Sequence, residues 1–96
     1  MTELLKQYHS LAAEAKELRD TSPQKAEQIA AILRDIDARL DALPSDQRRL
    51  LRMRYVQGWR WEKIAQKMCY SRSEVFRIHG RALDNLRRIS ENAAKN

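Results

Sequence analysis

Apolar side chains recur at intervals of three and four residues from Leu4 to Leu86, which commits the chain to helices packed along one stripe. Leu4, Tyr8, Leu11, Ala15 and Leu18 form a first stripe, and Ala26, Ile29, Leu33, Ile36, Leu40 and Leu43 a second. Thr21-Ser22-Pro23 interrupts them. Ser22 stands where an N-cap is needed, and Pro23 falls in the first turn, where its missing N–H costs nothing. Thr2 is placed to cap the first helix, and Asp35 and Arg39 form an i,i+4 pair on the second. Residues 1–43 are thus predicted to form an antiparallel helical hairpin serving packing or oligomerisation. Its many alanines make it thin, so it is expected to pack on the rest of the chain or on a second copy.

Pro44 ends the second stripe, and a third helix is predicted from Ser45 or Asp46 to about Gln57, with Gly58 as a left-handed C-terminal cap. A short helix from Trp61 to Met68 follows, then a turn at Cys69-Tyr70. Ser71-Arg72-Ser73-Glu74 reads as a capping box opening a last helix that runs to about Ser90, with 91–96 frayed. A short helix, a tight turn and a capped basic helix describe a helix-turn-helix over residues 44–96. Ile64, Ala65 and Met68 face inward against Val75, Ile78, Ala82 and Leu86. The opposite face of the last helix carries Arg72, Ser73, Arg77, Arg81 and Arg88. The fold class is therefore all-α, a hairpin followed by a helix-turn-helix, expected to form one compact domain.

Charge divides along the same boundary. Residues 1–43 carry six basic and eight acidic side chains, whereas residues 44–96 carry thirteen and five. A basic half joined to a mildly acidic one points to a polyanion-binding module with a separate packing element. The single cysteine, Cys69, excludes an intramolecular disulfide, and His9 and His79 lack ligand spacing, so no metal or cofactor is expected. The chain shows neither a Gly-rich phosphate loop nor His-Glu-x-x-His, and an enzyme is not expected. No apolar run approaches the ~18–20 residues of a membrane span, and the opening residues lack the order of a secretion signal. A cytoplasmic, nucleoid-associated protein of a bacterial host cell is expected.

The ordered set Leu43-Pro44, Arg48, Leu51, Arg52, Arg54-Tyr55, Gly58, Glu62, Ile64-Ala65, Ser71, Val75, Arg81-Ala82 and Leu86-Arg87 resembles the C-terminal, region 4 DNA-binding part of sigma-70-type transcription factors. Arg54-Tyr55, Trp61, Tyr70-Ser71, Val75-Phe76-Arg77-Ile78-His79 and Arg81-Ala82-Leu83 further resemble small phage-encoded sigma-like proteins of the ArpU-type late regulators. The sequence departs from the family at Arg60, where a Ser or Thr cap is usual, at Lys63, where Glu is frequent, and at Cys69, where Gly is common. The second departure leaves Glu62 as the expected partner of Arg54.

What the resemblance implies is a sequence-specific binder of double-stranded DNA that regulates transcription and can touch RNA polymerase; the N-terminal hairpin is expected to pair two copies into a homodimer or to dock on the polymerase. It places Arg72, Ser73 and Arg77 at base edges in the major groove, with Phe76 against a thymine methyl or sugar, or else packed on the third helix. It assigns Arg60, Lys63, Lys67, Ser71 and Arg81 to phosphates, and His79 to the edge of that set. Two other readings stay open: a phage terminase small subunit-like packaging protein, and an adaptor that grips polymerase or a sigma factor without its own DNA site.

Overall fold

Short helices with apolar stripes can bury those stripes only against one another, and the computed structural model, which describes residues 1–94, does so with no strand among them. Helices α1 (Thr2–Lys6), α2 (Tyr8–Leu18) and α3 (Pro23–Asp41) precede α4 (Ser45–Leu51). A π-helical turn (Arg52–Val56) leads to α5 (Trp61–Met68) and α6 (Arg72–Ala94). Leu5, Ile36, Leu40, Leu43, Leu50, Leu51, Met53, Ile64, Val75, Ile78, Ala82 and Leu86 are buried in one continuous cluster, so the start of the chain and the end of α3 share a core with the helix-turn-helix.

Several expectations shift by a residue or a turn. The first helix breaks at Gln7, whose amide is shared between the carbonyls of Glu3 and Leu4. Leu4 and Leu5 are both in phase with Tyr8, and the break decides between them: Leu5 is fully buried while Leu4 is 36% exposed. Thr2 lies inside α1 rather than capping it, and Ser22 makes no side-chain capping bond at the start of α3. The last helix continues past Ser90 through Ala94, so the fraying expected from residue 91 does not begin there; residues 95 and 96 lie outside the described residues.

The third predicted helix is two pieces. Its second half widens into the π turn, in which the Gln57 amide bonds the Arg52 carbonyl at 2.9 Å; beyond it the Trp59 amide reaches back over Gly58 to the Met53 carbonyl at 2.9 Å. Gly58 follows at φ +73°, the left-handed conformation expected of it. The wide turn sends Met53 into the core and Arg52 back towards α3, where it reaches Asp37 at 3.3 Å and Asp41 at 2.8 Å. The Tyr8 hydroxyl donates to the same Asp37 carboxylate at 3.1 Å. Asp37 and Asp41 thereby join the hairpin to the rest of the chain through Arg52.

Between α5 and α6 the chain turns at Cys69 (φ 60°, ψ 37°), the only non-glycine with positive φ among the described residues. The Tyr70 amide reaches back to the Ala65 carbonyl at 3.1 Å, closing a Schellman-type stop. Ala65 sits at the crossing, where its small side chain lets the two helices approach.

Two outcomes follow from this packing. Leu5→Ala should lower the unfolding free energy by about 2–5 kcal/mol, while Leu4→Ala stays within about 0.5 kcal/mol, and equal losses in urea titration would place the α1 register wrongly. Cys69→Val should lower stability by about 1–2 kcal/mol because a β-branched side chain resists the left-handed backbone, whereas Cys69→Asn should not.

Candidate nucleic-acid interface

A helix that gives one side to the core must present the other to solvent. Val75, Ile78, Ala82 and Leu86 are the buried side of α6, and they close against Ile64 and Ala65 of α5. Arg72, Ser73, Phe76, Arg77 and Arg81 consequently lie exposed along its other side, as does Arg88 further on. Arg60, Lys63 and Lys67 are exposed on the neighbouring α5, and Ser71 is exposed at the junction that starts α6. The hairpin does not cover these residues. All nine candidate contact residues are therefore exposed on α5, the turn and α6, with Lys63 and Lys67 beside Trp59 and the others on or next to α6 or at the start of α5.

Behind that surface stands an aromatic brace centred on Trp61. The Arg54 guanidinium lies 4.5 Å from the centroid of the Trp61 ring, and Phe76 and His79 meet the ring edge-on at 5.1 and 4.9 Å. Phe76 and His79 are three residues apart on α6, so one indole touches successive turns of the helix it supports. Arg54 also donates to the Trp59 carbonyl at 3.0 Å, and Lys63 sits 4.1 Å from the centroid of the Trp59 ring. The π turn and α5 together hold the exposed helix in place.

A comparison with protein-family models finds the sigma-70, region 4 family over residues 39–88, spanning the end of α3, α4, the π turn, α5 and most of α6. The chain belongs to the sigma-70 region 4 family. It therefore carries a DNA-binding helix-turn-helix of that type. No curated protein and no solved structure matches it. The region 4 match covers every candidate contact residue and leaves α1, α2 and most of α3 outside it.

Within this region 4 fold, three expected contacts are made differently. Glu62 pairs with Arg72 at 3.3 Å instead of with Arg54, whose guanidinium is turned inward over Trp61. The capping box is half formed: the Glu74 amide donates to the Ser71 hydroxyl at 3.2 Å, but the Glu74 carboxylate takes Arg77 as its partner. Phe76 packs on Trp61 while staying 45% exposed, and does not turn onto the third predicted helix. His79 is half-buried and shares a 2.7 Å hydrogen bond with the Tyr55 hydroxyl.

The Tyr55–His79 pair was not foreseen from the sequence, although Trp61 with aromatic rings at 76 and 79 was a visible hint. Its electrostatics are one-sided. Burial lowers the His79 pKa, and the positive charges of Arg54 and Lys6 lower it further; burial raises that of Tyr55. Neutral histidine is the native form, so the unfolded chain takes up this proton first as pH falls. Its contribution is complete above the ordinary histidine value of 6.5 and is lost as pH drops from there towards the lower folded value. Urea unfolding compared at about pH 7.5 and about pH 5.5 should show this decline, and His79→Gln should reduce it. An undiminished decline in the variant would assign the effect to other groups.

Proposed function

We propose that this chain reads a specific sequence in double-stranded DNA and regulates transcription from it. The observation that supports this reading is the exposure of Arg72, Ser73, Phe76, Arg77 and Arg81 along one side of a helix whose other side is sealed in the core. In this reading the first three turns of α6 lie in the major groove. Arg72 or Arg77 donates two hydrogen bonds to guanine O6 and N7, Ser73 bonds a neighbouring base edge, and Phe76 meets a thymine methyl. Arg60, Lys63, Lys67, Arg81 and the Ser71 end of α6 neutralise phosphates and set the register. The chemistry is recognition alone, with no catalytic step and no cofactor.

The hairpin has a separate role in this proposal. No residue of α2 is buried and Ile32 on α3 is 37% exposed, so the hairpin presents an under-packed outer side. We read it as the element that pairs two copies on adjacent half-sites or seats the protein on RNA polymerase. The likeness to phage-encoded sigma-like proteins carries the further reading that the regulated genes are those of a phage or prophage, with the protein acting on the host nucleoid. No helix of the described residues is long and apolar enough to cross a membrane.

Selection of bound duplexes from a random pool, followed by anisotropy against salt, tests the central reading. Affinity should fall steeply with log salt because several phosphate contacts release counterions. Arg77→Ala should weaken binding to the enriched duplex by about 1–3 kcal/mol and relax preference at one base pair. Equal loss on enriched and scrambled duplexes would remove Arg77 from the base-reading set. A ring-sized mass in solution would favour a packaging protein, and polymerase capture without any duplex binding would favour an adaptor.

A further inference from the structure

An arginine that reads a base must be held at the right place and kept from settling on the nearest phosphate. Arg72 has partners for both tasks. Its Nη2 lies 3.3 Å from Oε1 of Glu62, across the turn in the first turn of α5. Its guanidinium carbon stands 5.9 Å from the centroid of Phe76, which Trp61 braces in turn. The pair contributes little to holding the helices together. Both side chains are well exposed, at 61% and 64%, and the α5–α6 seam is already closed by Ile64, Ala65, Val75 and Ile78. Glu62 nevertheless places an exposed carboxylate, in sequence between Arg60 and Lys63, beside the cation that opens α6.

Resting on the DNA-reading function above, we propose that Glu62 is a specificity-determining residue, which orients Arg72 for a base edge and withholds it from phosphates. A guanidinium has five N–H donors, so Arg72 can keep Glu62 on one edge and present another to a guanine. Guanine O6 and N7 are neutral acceptors, and the carboxylate beside them raises no charge conflict. A phosphate approaching Arg72 meets the Glu62 charge as well. The pair therefore lowers binding to arbitrary sequence while sparing the cognate contact, which is specificity obtained by penalising the wrong partner.

Anisotropy of the intact chain on the enriched duplex and on a scrambled duplex of equal length tests this. Glu62→Gln should tighten binding to the scrambled duplex by about 3–10-fold and to the enriched duplex by no more than about 2-fold, because one opposing charge is lost from a phosphate-facing surface. Glu62→Asp keeps the charge but shortens its reach; it should weaken the enriched duplex without tightening the scrambled one. In an Arg72→Ala background, Glu62→Gln should change both duplexes by the same factor. Equal tightening on both duplexes with Arg72 present would reduce Glu62 to a generic negative charge and overturn the proposal. A parent chain that prefers no duplex would overturn the DNA-reading function itself, and this inference with it.

Discussion

The π-helical turn at Arg52–Val56 is the constraint on which the rest of the arrangement depends. A regular helix would continue the phase of α4 and keep Arg52, Met53, Arg54 and Tyr55 in their ordinary angular order. Widening the turn re-aims them. Arg52 goes to Asp37 and Asp41 of α3, Met53 to the core, Arg54 to the face of Trp61, and Tyr55 to His79 on α6. One short segment thereby ties the hairpin, α5 and the exposed helix to a common reference. Gly58 completes it, since its left-handed backbone lets the chain double back to start α5, with the His9 ring 3.9 Å from where a Cβ would stand.

This division of labour leaves the cations of α6 exposed. The packing of α6 rests on aliphatic burial and on the Trp61 brace, neither of which uses Ser73, Arg77 or Arg81. Arg54 is the exception among the cations near the interface, because it is turned inward as a support for Trp61 and donates to the Trp59 carbonyl. Burial first, and then the Arg54 charge stacked behind the aromatic ring, lower the pKa of His79 where the brace touches α6.

Legibility from sequence followed the kind of interaction involved. The seam from Ile64 to Leu86 was readable because burial of aliphatic side chains follows backbone period, and all its members except the partly buried Met68 are in the core. The turn at Cys69-Tyr70 was legible, but its left-handed backbone at a non-glycine was not. Leu4 and Leu5 were not separable, since adjacent leucines both satisfy a helical stripe until a break in the helix selects one. The partners of Glu62, Glu74 and His79 were beyond reach for a different reason. Glu74 had both a capping role and Arg77 one turn on within reach, while the partners of Glu62 and His79 lie on other elements and depend on how the helices pack.

The π turn also accounts for where the two halves of the charge end up. Asp37 and Asp41, two of the acids that make the hairpin negative, are spent on Arg52, so the boundary between the acidic and basic halves is an internal contact. Had Arg52 faced outward, it would have extended the cationic surface around the molecule and blurred its orientation on a polyanion. With Arg52 paired to two carboxylates and the half-buried Arg54 stacked on an indole, the outward positive charge of this segment shifts towards α5 and the start of α6. The cations left exposed on α5 and at the start of α6 are therefore those that the core does not use, and among them Arg72 is paired with Glu62 across the turn.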